Sequence, residues 1–218
     1  MKINLTINDA PVSVEAGATI LEAAKLLDIR IPTLCHMKMD CFQLEHRSGS
    51  CRVCVVEVKG RPNLAPACST PVTEGMEVHT NTLRAINARR TILDLLLSDH
   101  PKDCLTCPKN LNCQLQALAQ ELGLHHLLYK GEQSTYDRDL SSKAIARDLD
   151  KCIMCRRCET ACNVVQTVGV LSGVGRGFEA VVAPAGLKPL VETECVFCGQ
   201  CVQACPVGAL TEIDYKYP

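Results

Sequence analysis

Apolar and polar positions alternate along Lys2–Ile7 and again over Val12–Val14, with Asn8, Asp9, Ala10 and Pro11 between them. Period-two alternation around turn-forming residues predicts a β-hairpin. The period then changes. Thr19 is followed three residues on by Glu22, a capping box that opens a helix. Ile20, Ala23, Ala24 and Leu27 recur at helical spacing, and the helix is expected to end near Asp28, before Ile31-Pro32. Alternation returns at Val53–Val58 and Met76–His79, with a Lys59-Gly60 turn between them. Hairpin, helix and further strands predict a small β-grasp-like unit over residues 1–80.

From residue 81 the pattern is mostly helical. Leu83, Ile86, Ile92, Leu93, Leu96 and Leu97 give a broad apolar face over Thr82–Ser98, with Asn81 or Thr82 as the cap. A shorter helix is expected over Leu111–Leu122, closed by Gly123 at the C′ position. Residues 81–123 form one helical lobe and 124–143 a connector. The surface is the better place for His125 and His126, with no cysteine nearby. Over 144–218 the elements are short: helices near Arg156–Gln166 and Gly199–Ala204, strands at Val168–Leu171 and Phe178–Val182. A turn, Gly173–Gly177, separates those strands. It leads into a strand and not a helix, so it is not a dinucleotide loop. The fold class is α+β.

Cysteine changes the picture. The chain has 16 among its 218 residues. Two copies of C-x2-C-x2-C-x3-C occur in the last quarter, at Cys152, Cys155, Cys158, Cys162 and at Cys195, Cys198, Cys201, Cys205. That is bacterial ferredoxin spacing, in which three close cysteines hold one 4Fe–4S cube and the fourth ligates the other. Cys152, Cys155, Cys158 and Cys205 are therefore expected to hold one cluster, and Cys195, Cys198, Cys201 and Cys162 a second. Pro206 completes the usual C-P ending, whereas the first copy continues with Asn163. Zinc sites use paired C-x2-C units with four ligands per ion, a poorer match to this spacing.

Four more cysteines, Cys35, Cys51, Cys54 and Cys68, lie on loops of the first unit. The pattern C…C-x2-C…C suits a 2Fe–2S cluster, although the plant-type run C-x4-C-x2-C is absent. The segments IPTLC, SGSCRVCVVEV and APACSTPV resemble the N-terminal iron–sulfur electron-input region shared by three groups of proteins. These are di-iron hydrogenases, the large iron–sulfur subunit of respiratory complex I, and the small diaphorase subunit of NAD-linked hydrogenases. By that resemblance the four cysteines are 2Fe–2S ligands. The loop from Cys35 to Cys51 is longer than in the family and contains a fifth cysteine, Cys41, with His36 and His46 nearby. We read it as a loop insertion with a free thiol, set against a substitute ligand or redox-sensitive group. The run HPKDCLTCPKNLNC places His100 ahead of Cys104, Cys107 and Cys113. In the family this pattern binds a 4Fe–4S cluster with one histidine ligand, and no other cysteine of the segment is free to be the fourth. A neutral imidazole in place of a thiolate is expected to raise the potential, as histidine does in Rieske centres.

Charge and hydropathy narrow the function. The formal net charge is −1, and bound clusters make the loaded protein more acidic. No basic, aromatic-interleaved stretch indicates nucleic acid. No apolar run approaches the ~18 residues of a membrane span. The N-terminus alternates like a strand and lacks a signal-peptide core. So many cysteines without an export signal place the chain in a reducing cytoplasm. There is no phosphate-binding glycine loop, and the chain ends thirteen residues after Cys205. The resemblance then implies an electron-relay subunit, with no substrate-converting site of its own, in an NAD(P)(H)-linked complex. Such a complex is a hydrogenase, a formate dehydrogenase or a bifurcating transhydrogenase. The implied partners are an FMN-containing NAD(P)H-oxidising subunit and a further catalytic redox subunit or soluble ferredoxin. Set against this are a free-standing multi-cluster carrier, a zinc-stapled scaffold, and the input fragment of a longer hydrogenase.

Overall fold

In the computed structural model Lys2–Ile7 (β1) and Ala10–Glu15 (β2) pair antiparallel, Lys2 opposite Glu15 and Ile7 opposite Ala10. Asn8 and Asp9 turn the hairpin with φ of 50° and 67°. Two left-handed residues in a two-residue loop match the right-handed twist of the strands. Pro11 is tolerated because β2 is the sheet edge. The structure describes residues 1–213.

The described chain forms two compact units, Met1–His36 with Arg47–Leu93, and Met37–His46 with Asp94 onward. In the first, Ile20–Leu26 (α1) starts at Thr19, whose hydroxyl accepts from the Glu22 N–H while the Glu22 carboxylate accepts from the Thr19 N–H. The expected capping box is present. Its helix stops two residues short of Asp28, which takes φ of 54°. Val55–Val58 (β5), Ala65–Pro66 (β6) and Glu77–His79 (β7) complete a five-stranded sheet of order β2-β1-β7-β5-β6. β1 and β7 run parallel, so α1 lies in the crossover that parallel neighbours need. Ile7, Ile20, Ala23, Ala24, Val56 and Val78 are buried together between helix and sheet. Each of the larger of these contributes about 1.5–3 kcal/mol by leaving water.

Leu83–Asp99 (α2) begins where Thr82 accepts the Ala85 N–H, and the boundary between the units falls within it, after Leu93. In the second unit Gln114–Glu121 (α3) starts three residues later than expected. Leu111 is left-handed at φ 63°, which no helix interior accommodates, and Cys113 takes the N-cap position. Gly123 ends it at φ 67°. Ile145–Arg147 (β8) pairs antiparallel with Leu210–Glu212 (β11). Arg157–Thr160 (α4) continues as a π-helical turn over Ala161–Val165, and Gln200–Ala204 (α5) is its counterpart.

One expectation needs correction and a second gains detail. The strands expected at Val168–Leu171 and Phe178–Val182 form instead at Ser172–Val174 (β9) and Val181–Ala183 (β10). The Val168 N–H goes to the Cys162 carbonyl and the Leu171 carbonyl accepts from the Asn163 amide, so that segment is tied to the helix end and not to a ladder. The reversal is at Gly175, where φ is 76° and an added Cβ would sit 2.2 Å from the Glu179 carbonyl oxygen. The second concerns the long loop. Met37–Met39 (β3) and Leu44–His46 (β4) pair antiparallel inside it, so the insertion is an ordered hairpin with Cys41 exposed at its tip.

Candidate cluster sites

In the first unit Cys35, Cys51, Cys54 and Cys68 are all buried. Cys35 precedes the hairpin insertion, Cys51 and Cys54 lie on the loop that enters β5, and Cys68 follows β6. The left-handed Arg52, at φ 59°, turns that loop between its two cysteines. The four sulfurs are close enough to titrate as one group. Hydrogen bonds from the Cys51 and Cys68 thiols hold Cys35 well below the ordinary thiol range, and a bond from Cys68 lowers Cys54 to about 7. The donors Cys51 and Cys68 are correspondingly raised, because each proton is held by a neighbouring sulfur. Two of the four sulfurs, Cys35 and Cys54, are thereby pushed toward thiolate, the ligating form. Arg89 of α2 donates from Nε and Nη2 to the Val55 carbonyl at 3.1 and 2.8 Å, pinning the residue after Cys54.

In the second unit Cys104, Cys107 and Cys113 are exposed or half-buried, and Cys104 and Cys107 lie near enough to Cys113 to oppose its ionisation. Burial is the larger cause of that rise. His100 follows directly on α2. Burial, and then the Lys151 ammonium, lower its pKa and hold the imidazole neutral, the form that coordinates a metal. His100 lines a pocket with Asp150 and Cys152, and the three motif cysteines do not line that pocket.

The eight remaining cysteines fall into two sets of four. One pocket is lined by Cys152, Cys155, Cys158 and Cys205, with Leu149, Val182, Val207 and Leu210. Another is lined by Cys162, Cys195, Cys198 and Cys201, with Val168, Leu171, Leu190 and Val196. The fourth cysteine of each motif thus sits with the first three of the other. Backbone geometry repeats too. Met154 and Arg156 are left-handed at φ 50° and 59°, and Phe197 and Gly199, at the same motif positions, at 52° and 75°. These bends turn N–H groups toward sulfur, as nests do toward anions. Met154 and Val182 donate to Cys152, Arg157 to Cys155, Phe197 to Cys195, and Val207, Leu210 and Ala209 to Cys205. Burial pushes the Cys155 and Cys201 thiols up to about 12. Eight soft donors around apolar pockets with N–H groups aimed at sulfur fit thiolate-bound iron–sulfur clusters. No group of three or more His, Cys, Asp or Glu side chains among the described residues is set to hold a single metal ion.

Chain order, fold and donor set define an iron–sulfur-cluster-binding protein. Residues 1–83 match the model of a 2Fe-2S iron-sulfur cluster binding domain, 89–127 that of the NADH-ubiquinone oxidoreductase-G iron-sulfur binding region, and 189–211 that of a 4Fe-4S binding domain. The chain is 59% identical over 98% of its length to NADP-reducing hydrogenase subunit HndD of Solidesulfovibrio fructosivorans. It is 34% identical over 99% to NADPH-Fe(3+) oxidoreductase subunit alpha of Geobacter sulfurreducens, and 32% identical over 99% to the NADH-ubiquinone oxidoreductase 75 kDa subunit of Reclinomonas americana. It spans only 36%, 24% and 30% of those relatives. Among solved structures, a chain of an NAD+-reducing [NiFe]-hydrogenase superposes with a TM-score of 0.87 at 28% identity, over 99% of this chain and 90% of that one. The chain thus carries 2Fe-2S, NADH-ubiquinone oxidoreductase-G and 4Fe-4S binding regions, and over nearly its whole length it is similar to the N-terminal iron–sulfur region of these hydrogenase and NADH-ubiquinone oxidoreductase subunits.

Several residues escaped the sequence reading. Lys151 is buried and ion-paired to Asp103 and Asp148. His46, noted only for its closeness to Cys41, is buried against the Cys155 loop. Arg89 left a signal: it interrupts the apolar face of α2 three residues after Ile86 and four before Leu93.

Proposed function

We propose that the chain is an electron-transfer subunit of a cytoplasmic NAD(P)(H)-linked oxidoreductase complex, holding one 2Fe–2S and three 4Fe–4S clusters. The observation that carries this reading is the division of eight cysteines between two apolar pockets. Cys35, Cys51, Cys54 and Cys68 bind the 2Fe–2S cluster. His100, Cys104, Cys107 and Cys113 bind one cube. Cys152, Cys155, Cys158 and Cys205 hold a second, and Cys162, Cys195, Cys198 and Cys201 a third. When bound, the clusters supply one-electron carriers, and the chain orients them and sets their potentials. The four-part division 1–80, 81–123, 124–143 and 144–218 follows these sites; the boundary of the compact units crosses it, falling after Leu93 and assigning Met37–His46 to the second unit.

The subunit relays single electrons between an FMN-containing NAD(P)H-oxidising partner and another redox subunit or a ferredoxin. Relatives that are subunits of an NADP-reducing hydrogenase and of an NADH-ubiquinone oxidoreductase support a pyridine-nucleotide-linked complex. No described helix is long and apolar enough to cross a membrane.

Anaerobic isolation of the tagged chain from its host, with iron, flavin and partner masses measured, tests the reading. About fourteen irons per chain (2 + 4 + 4 + 4 for these cluster types) with an FMN-bearing partner is the expected result. Zinc in place of iron, or a fully loaded monomer without partners, contradicts it.

A further inference from the structure

The Lys151 side chain is 5% exposed, and its Nζ lies 2.9 Å from Asp103 Oδ2 and 3.0 Å from Asp148 Oδ2. Asp103 directly precedes Cys104, and Lys151 directly precedes Cys152. The ammonium thus joins the loop of the His100 motif to the loop of the first ferredoxin motif. A third segment meets them at Gly208. A Cβ built there would stand 2.7 Å from Cys107 Sγ and 3.3 Å from Lys151 Cδ. The Cys107 sulfur, the lysine stem and the backbone three residues beyond Cys205 are packed at one point, with no room for a side chain.

We propose that Lys151 is a positioning residue shared by the His100–Cys104–Cys107–Cys113 site and the Cys152 site, whose charge raises the reduction potentials of both clusters. The inference rests on the cluster assignment above. Its physics is the sign of the charge. Reduction adds one negative charge to a cluster, and a cation a few ångströms away in a poorly solvated region favours the reduced form. The two carboxylates act in the opposite direction and keep the buried ammonium compensated. Removing the cation leaves Asp103, next to Cys104, and Asp148 without their shared counter-charge.

The test is an EPR-monitored redox titration of the iron-loaded full chain as wild type, Lys151→Gln, Lys151→Arg and Asp103→Asn. Expected are lower potentials for two of the 4Fe–4S clusters in Lys151→Gln and near-wild-type values in Lys151→Arg. Asp103→Asn should shift the same clusters upward. The 2Fe–2S potential, in the other compact unit, should hold. Wild-type potentials in Lys151→Gln, or an equal shift of all four clusters, overturn the proposal. If Lys151→Gln loses iron, Asp103→Asn decides, since Asp103 is half-exposed: an upward shift supports the proposal and no shift overturns it. A wild-type chain that binds no iron overturns the functional reading, and this inference falls with it. Loaded clusters with unmoved potentials overturn the inference alone.

Discussion

His46 Nε2 lies 3.0 Å from the carbonyl oxygen of Cys155, 109 residues further along the chain. Its other ring nitrogen, Nδ1, lies 2.7 Å from the Thr160 hydroxyl. The consistent tautomer donates from Nε2 to Cys155 and accepts at Nδ1 from Thr160. A hairpin inserted between Cys35 and Cys51 thereby fastens the loop and helix that carry Cys155 and Cys158. His46→Ala should cost about 1–3 kcal/mol, the range for leaving buried hydrogen-bonding groups unpaired. Thermal unfolding of the loaded chain checks this. An unchanged Tm would show that the hairpin holds nothing.

Cys68→Ser should lower bound iron by about two atoms per chain, the content of one 2Fe–2S cluster. The 4Fe–4S signals should persist, because the other twelve proposed ligands lie in the second compact unit. Iron analysis with EPR reads the difference. Loss of all iron would break the grouping of Cys35, Cys51, Cys54 and Cys68 into a separate site.

Gly175→Ala should destabilise the protein more than Gly177→Ala. Both residues have positive φ, at 76° and 57°, but only at 175 does the new Cβ meet backbone, at 2.2 Å from the Glu179 oxygen. Left-handed strain alone costs about 1–2 kcal/mol. At 175 the β9–β10 reversal must also open. Chemical denaturation of the two variants ranks them, and equal losses would contradict the steric argument.

Acid should weaken the second unit through Asp139. Its carboxylate lies 3.0 Å from the buried Arg147 guanidinium and accepts from the Leu190 and Ser141 N–H groups. Burial favours the neutral acid, yet the Ser141 and Leu190 hydrogen bonds and the arginine outweigh it and hold the pKa below the ordinary carboxylate value. A depressed pKa contributes stability above the unfolded value of about 3.9, and that stability is lost as pH falls through the lower folded value. Asp139→Asn should flatten that acid limb. At neutral pH it should also cost about 3 kcal/mol, because Arg147 is left uncompensated. Urea melts between pH 3 and 7 measure both effects.

Much of the local structure was legible. The capping box at Thr19 and Glu22, the Asn8-Asp9 hairpin and the Gly123 stop each depend on a few adjacent residues whose dihedral and hydrogen-bonding preferences are short-range. The strands flanking Gly175 were misplaced by a few residues. Valine-rich segments satisfy a period of two in more than one register, and the choice fell to bonds between Cys162 and Val168 and between Asn163 and Leu171.

Cysteine spacing by itself determined which thiols can converge, since a C-x2-C-x2-C turn is closed by its own backbone and by left-handed residues such as Met154 and Phe197. Which charges stand beside those thiols was decided only by tertiary structure. Lys151 meets Asp103 across 48 residues of chain, and the Cys107 sulfur meets Gly208 across 101. Such partners are selected by burial, which exposes a charge or a Cβ to whatever the fold brings near, and no local pattern records that.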